Sequence, residues 1–190
     1  MRELLAYIHS FSAFSDDSWN ILLPALSKLT FNKGDYLLRD GKVCSSLYFI
    51  CQGYCRAFNI QDGVEVNTSF YFEADIATNT NSYLFGTKST LAIQACEPLT
   101  AIKIDKAKVL EASMRAPEIE LVGKRNLQLI AARQEKQLEL YRLLTATQRY
   151  EYLEKHQPAM LQRVPLTLLC SYLGVKRETL SRIRSRRQQP

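Results

Sequence analysis

The sequence predicts an α+β fold in three parts: an N-terminal β jelly-roll barrel, a long helix, and a C-terminal helix-turn-helix. Three observations predict it. Short strand-like runs separated by Gly turns fill residues 29–104, a proline-free heptad pattern runs from 118 to about 145, and two apolar helical stripes flank Gly174. Hydrophobic residues at 46% and charged residues at 23% match ordinary globular composition, which excludes a mainly disordered or fibrous chain. No apolar run approaches the ~18 residues that cross a bilayer, so no membrane partner is expected. Met1 to Tyr7 carries Glu3 and no long apolar stretch, unlike a signal peptide. Five cysteines, an odd number without framework spacing, read as buried, reduced thiols of a cytoplasmic protein.

The first thirty residues read as helical. Ser15 can cap a helix whose first turn holds Asp16 and Asp17, with Trp19, Leu22, Leu23 and Leu26 as its apolar face. Strand composition then marks 36–38, 47–51, 55–60, 66–72, 91–96 and 99–104, with turn signals at Gly34, Gly41, Gly53 and Gly63. The polar stretch 74–90 interrupts them as a long loop with some helix. Residues 107–114 form a short helix closed by Ala116-Pro117. In the long helix, Leu127, Ala131, Gln134, Leu138, Tyr141 and Thr145 fall at alternating spacings of four and three, a heptad seam that its small and polar members weaken. A helix of that length needs a second surface. Its own barrel is one; the same helix of a second subunit is the other, and the seam favours this homodimer. Another helix is predicted over 148–155, ending near Pro158.

The terminal segment satisfies several spacing demands together. Pro165 can open a helix because its missing N–H is not needed there. Leu169 and Leu173 share a face, Gly174 follows where a helix end takes positive φ, and Val175 plugs the corner. Leu180 and Ile183 restart the apolar stripe, and Cys170 is small enough for the helices to cross closely. The second helix then presents Lys176, Arg177, Glu178, Ser181, Arg182 and Arg184 outward, a basic face that fits a major groove. Arginine reads guanine bidentately and glutamate accepts from the cytosine amino group. Charge agrees: residues 176–190 hold six basic side chains against Glu178 and so carry +5 of the formal net charge of +6. The alternative is an ordinary helical hairpin with a charged surface.

Arg177-Glu178-Thr179-Leu180-Ser181-Arg182-Ile183 closely resembles the recognition helix of Crp/Fnr-type bacterial transcription regulators, the family of the cyclic AMP receptor protein. Residues 31–41 resemble the opening strands of that family's cyclic-nucleotide-binding barrel, and 47–53 the next strand and turn. The resemblance implies a sensor barrel at 1–114, a dimerisation helix at 115–145 and a DNA-binding domain at 146–190. It implies that Arg177, Glu178 and Arg182 touch base edges. Lys176, Thr179, Ser181 and Arg184 would make phosphate or auxiliary contacts, while Arg186 and Arg187 add nonspecific attraction. The implied partners are double-stranded DNA, a second copy of the chain, and RNA polymerase. Lys176 stands where the family often caps this helix with Ser or Thr, and lysine cannot accept from free N–H groups.

Family members that bind a cyclic nucleotide supply a Gly-Glu pair followed by Arg and Ser or Thr. The matching region here is Phe72-Glu73-Ala74-Asp75 with Lys88-Ser89-Thr90. Glu73 or Asp75 can meet a ribose hydroxyl, and Glu73, Asp75, Lys88, Ser89 and Thr90 mark the candidate ligand pocket. The Gly is missing, however, Ser89 falls where the phosphate-binding Arg would be, and Lys88 lacks the fork of an arginine. No cyclic nucleotide, and no other cofactor, is therefore expected. Cys51 and Cys55 are not a recognised cluster set, and His9 and His156 support no haem or zinc site. No phosphate-cradling Gly loop or nucleophile elbow suggests an enzyme. A competing reading is a signalling module whose barrel binds a small ligand or protein and whose basic end is incidental. The absence of a β-wing after the recognition helix is what favours it.

Overall fold

The computed structural model describes residues 1–187, with side chains to Ser185; Arg186 and Arg187, expected to add nonspecific attraction, lie outside the described side chains. Helix α1 spans Arg2–His9 and α2 spans Asp16–Leu22. Ser15 caps α2 as its sequence predicts, with the Ser18 N–H donating to its Oγ at 3.2 Å. The helical expectation fails beyond Leu22. Pro24 sits in a short 3₁₀ turn, Leu23–Ala25, and Leu26 opens a strand. The missing N–H of Pro24 does not support a continuing α-helix. The segment is instead satisfied by pairing, from Leu26 opposite Ile104 to Phe31 opposite Leu99.

Eight strands form two four-stranded antiparallel sheets, the layers of a jelly roll. They are β1 Leu26–Phe31, β2 Tyr36–Leu38, β3 Ser46–Gln52, β4 Cys55–Gln61, β5 Val64–Tyr71, β6 Ile76–Ala77, β7 Ala92–Ala95 and β8 Leu99–Asp105. One sheet runs β1-β8-β3-β6 and the other β2-β7-β4-β5, leaving β5 as an edge. The interrupting stretch 74–90 contributes β6 and a short helix, α3 Thr80–Phe85, whose Ser82 N–H donates to Asn79 Oδ1 at 3.2 Å. Ile50 and Ala101, paired on one sheet, and Ala57 and Ile93, paired on the other, share one buried cluster with Phe49 and Ile102, which lie on the opposite face of their strands, where Phe49 meets Tyr7 of α1. Helices α4 Lys106–Arg115 and α5 Pro117–Leu143 join this core through Ala112, Ile119 and Val122, beside Leu4 and Ile8 of α1.

Four helices follow: α6 Ala146–His156, α7 Pro158–Arg163, α8 Leu166–Leu173 and α9 Arg177–Arg187. Pro158 opens α7, a helix the sequence reading did not foresee, because proline at a first helical position costs no hydrogen bond. Thr145 is not a seam residue. It caps α6 in a capping box with Gln148, and α5 has already ended at Leu143. A second core joins the terminal helices to the barrel, with Tyr54 and Phe70 packed among Tyr150, Leu153, Met160, Leu169 and Leu180. The boundary drawn at residue 146 therefore separates no independent core. No helix among the described residues is long and apolar enough to cross a membrane.

The turn between β3 and β4 depends on Gly53. Its φ is +83°, and a Cβ there would lie 2.5 Å from the Pro98 carbonyl oxygen. Gly53→Ala should cost about 2–3 kcal/mol through strain and displaced backbone, read as a lowered denaturant midpoint at unchanged slope. An unchanged midpoint would show that this turn can shift freely.

Candidate nucleic-acid interface

Helix α8 ends at Gly174, which takes the left-handed conformation (φ 66°, ψ 38°). The Val175 N–H then donates back to the Cys170 carbonyl at 3.0 Å, closing the helix end and setting the corner. Leu169, Cys170 and Leu173 face Leu180 and Ile183 across that corner, all buried, and Leu180 has no exposure at all. This apolar contact decides the orientation of α9. With Leu180 and Ile183 turned inward, Arg177, Glu178, Ser181, Arg182 and Arg184 are exposed, as is Lys176 just before the helix; Thr179 is half-buried at the margin. The seven residues named from sequence thus lie together on and beside one short helix, six of them open to solvent. Among the described residues no hydrogen bond or ion pair engages any of these six side chains, while the Lys176 carbonyl accepts from the Leu180 N–H at 3.1 Å.

The helices below α9 are held firmly on the barrel. Arg163, the last residue of α7, gives Nη1 to Glu73 at 2.7 Å and Nη2 to Glu73 at 3.0 Å and Glu97 at 2.5 Å. Its guanidinium lies 5.3 Å from the ring centres of both Tyr54 and Phe72, which stack on each other at 5.2 Å. Burial pushes the Tyr54 phenol up to about 12, so its OH stays a donor to the Arg163 carbonyl at 3.2 Å. The hydrogen bonds from Arg163 in turn hold the Glu73 carboxyl below its usual range. A second attachment covers the free edge of β5. The Asn67 N–H donates to Ser171 Oγ at 2.9 Å, and that hydroxyl donates to the Glu65 carbonyl at 3.1 Å. Tyr172 packs edge-on against Phe70 at 5.4 Å.

The five residues marked as a ligand pocket do not converge. Glu73 is taken up by Arg163 and by the Gly53 N–H at 2.9 Å. Asp75 accepts from Arg133 and from the Phe72 N–H at 2.8 Å. Ser89 is buried, accepting from Asn79 Nδ2 at 2.7 Å and donating to the Leu91 carbonyl at 2.6 Å. Lys88 and Thr90 are exposed. The sequence reading missed this because the partners of the two carboxylates lie on distant helices.

On α5, the residues facing the barrel are Ile119, Val122 and Asn126. The expected seam lies about a quarter-turn away. Leu127 is half-buried, Ala131 and Gln134 are exposed, Leu138 is 59% exposed and Tyr141 is 36% exposed. The five cysteines are unpaired thiols. Burial pushes Cys55 well up and Cys96 to about 11.

Residues 28–116 match the family model of the cyclic nucleotide-binding domain. No curated protein matches the sequence. Among solved structures, the chain is similar to the global regulator CLP of Xanthomonas campestris, described as c-di-GMP responsive, with a TM-score of 0.69 and 14% identity over 92% of each chain. It is similar to FixK2 of Bradyrhizobium japonicum, with a TM-score of 0.66 and 17% identity over 85% of this chain and 83% of that one. The catabolite activator protein of Thermus thermophilus gives a TM-score of 0.56 and 18% identity over 92% and 84%. Similarity at these identities establishes a shared fold.

Arg163→Ala should destabilise docking of α6–α9 by about 1–2 kcal/mol, given a partly exposed ion pair and a cation–π contact. Amide exchange should accelerate in α7 and α8 more than in β3 and β8; uniform acceleration would mean one indivisible unit. Because the Glu73 pKa is depressed on folding, its contribution is present above the ordinary glutamate range and is lost as pH falls through the folded value. Docking should therefore be flat from pH 5 to 8 and weaken below about pH 4. Cys55 and Cys96 should resist alkylation at pH 8 in the folded protein, and rapid labelling of either would contradict the burial described.

Proposed function

We propose that the protein is a sequence-specific DNA-binding transcription regulator of the Crp/Fnr type that acts as a homodimer. One observation carries this reading: α9 is a basic helix whose Arg177, Glu178, Ser181, Arg182 and Arg184 are exposed while Leu180 and Ile183 fix its orientation from behind. A surface built this way has the size and charge to enter a major groove with arginines free to fork onto base edges. Two proteins of the same fold, a catabolite activator and a global regulator that links cell–cell signalling to gene expression, support it. In this reading Arg177, Glu178 and Arg182 read bases, while Lys176, Thr179, Ser181 and Arg184 meet phosphates or assist.

Dimerisation completes the mechanism. The face of α5 that bears Leu127, Ala131, Leu138 and Tyr141 is largely open on a single chain, and a second copy of the same helix would cover it. Two α9 helices would then enter successive major grooves, about 34 Å apart, on a roughly palindromic site. RNA polymerase belongs to the same reading as the partner through which binding would alter transcription. Cyclic AMP does not belong to it, because neither Ser89 nor Lys88 offers the fork that a cyclic phosphate needs.

Selection from random duplexes at near-physiological salt should recover a two-fold symmetric motif; recovery of no motif would overturn sequence-specific recognition. Arg177→Ala or Arg182→Ala should each cost ~1–3 kcal/mol and relax preference at particular base pairs. Equal weakening on all sequences would confine these residues to phosphate. Lys176→Ala should mainly flatten the salt dependence of affinity, a slope unchanged within error arguing against a phosphate contact.

A further inference from the structure

A groove of about 640 Å³ between β5, α5 and α8 has no charged residue in its lining. A smaller cavity, of about 230 Å³, has the opposite character. It opens at one end of the barrel, where β2 and the segment 39–45 meet the start of β3 and the later part of β8. Three cations line it, Arg39, Lys42 and Lys103, and no carboxylate does; Asp40 and Asp105 stay outside the lining. No residue of α5 or of the terminal helices takes part.

The fold brings these residues together from both sheets. Tyr48 on β3 lies directly opposite Lys103 on β8, two residues along from Ser46, so all three share one face. The segment 39–45 crosses from β2 in one sheet to β3 in the other. It is pinned at Ser89, whose carbonyl accepts from the Gly41 N–H at 2.8 Å and whose N–H donates to the Lys42 carbonyl at 2.9 Å.

The fold does not use up these charges. The Arg39 guanidinium lies over the Tyr36 ring, 4.1 Å from its centre, which occupies its flat face and leaves its N–H edge open. Among the described residues no hydrogen bond or ion pair engages the Arg39 or Lys42 side chain. Lys103 reaches Asp105 only at 4.0 Å, a separation worth little between partly exposed groups. Ser46 is buried in the lining, and its hydroxyl has no partner among the described residues. Three like charges around one cavity repel each other, and a bound anion removes that cost.

We propose that this cavity binds a small phosphate dianion, free or carried as a monoester, between the Arg39 fork and the ammonium groups of Lys42 and Lys103. Phosphate suits the set better than a carboxylate. Its tetrahedral oxygens meet a fork and two point charges from different directions, and its double charge answers three cations. Tyr36 and Tyr48, both half-buried on the wall, offer the organic part of an ester a surface with polar tips. The site involves neither α5 nor α9, so it stands or falls without the DNA-binding reading.

The test uses the full chain at near-physiological ionic strength, with inorganic phosphate, ribose 5-phosphate and ribose as probes. Binding is followed by backbone amide NMR. Both phosphate probes should shift the amides of residues 39–46 and 103, and ribose should bind weaker by about tenfold or more, the worth of one charge-assisted hydrogen bond. Arg39→Ala and Lys42→Ala should each weaken phosphate binding by about tenfold, and Arg39→Lys, which keeps the charge and loses the fork, should recover only part of it. Lys108→Ala, on α4 and outside the cavity, should change nothing. The denaturant midpoint of each variant is measured, so that lost binding is read only in a folded chain. Tighter binding of ribose 5-phosphate than of inorganic phosphate would identify an ester as the ligand; equal or weaker binding would identify the free ion. No shifts at 39–46, unchanged affinity in Arg39→Ala and Lys42→Ala, equal weakening by Lys108→Ala, or equal affinity for ribose would each overturn the proposal. So would displacement of the bound probe by short duplex DNA at equal phosphate concentration, which would make the three cations a polyanion contact.

Discussion

Arg163 anchors the start of the terminal helices to the barrel, and the other contacts between them build on it. Its guanidinium rests against the stacked rings of Tyr54 and Phe72, its nitrogens are shared between Glu73 and Glu97, and its carbonyl accepts from Tyr54. Arginine suits the position because a planar fork can stack and bind two carboxylates at once, which a lysine cannot. The contact closes α7, and α7 fixes where α8 begins. From there, the edge of β5 takes over, since Asn67 and Glu65 would otherwise present unpaired backbone groups that Ser171 satisfies. The barrel and the terminal helices are consequently packed together, with Tyr54 and Phe70 belonging to the terminal core.

Legibility in the sequence followed the range of each interaction. The pair α8 and α9 could be read because its constraints are local: Pro165, Gly174 and the Leu169/Leu173 and Leu180/Ile183 pairs all act within a few residues. Ser15 was readable for the same reason, since a cap needs only the next turn. Strand β1 was not, because Leu22, Leu23 and Leu26 continue a helical spacing that only pairing with β8 overrides. The groove was invisible for a related reason. Its walls come from residues as far apart as Tyr71 and Tyr172, and nothing in the period of either segment announces that they meet. Glu73 and Asp75 misled the reading in the opposite sense. They looked like free carboxylates in a loop, yet each is bound to an arginine on a helix far along the chain.

The long helix shows how one element can serve three surfaces. Ile119, Val122 and Asn126 are spent on the barrel, and Asn126 is buried because the Tyr7 hydroxyl donates to its Oδ1 at 2.9 Å. Farther along, Gln134 and Gln137 turn to the groove and Tyr141 reaches the Tyr172 carbonyl. Leu138 lies on the rim of that groove and is also the most exposed apolar residue of the seam. A heptad seam with small and polar members is a poor adhesive by itself.

Charge is divided among these surfaces in a way that separates their tasks. The positive excess is gathered at the end of the chain, where Lys176, Arg177, Arg182 and Arg184 face outward, while the groove of about 640 Å³ between β5, α5 and α8 has no charged lining residue. Helix α8 stands between the two. Its Leu169, Cys170 and Leu173 are locked to Leu180 and Ile183 on one side, and its Ser171 and Tyr172 are seated on β5 and the groove on the other. A packed apolar contact does not deform continuously, so any displacement of α8 relative to β5 must carry α9 with it.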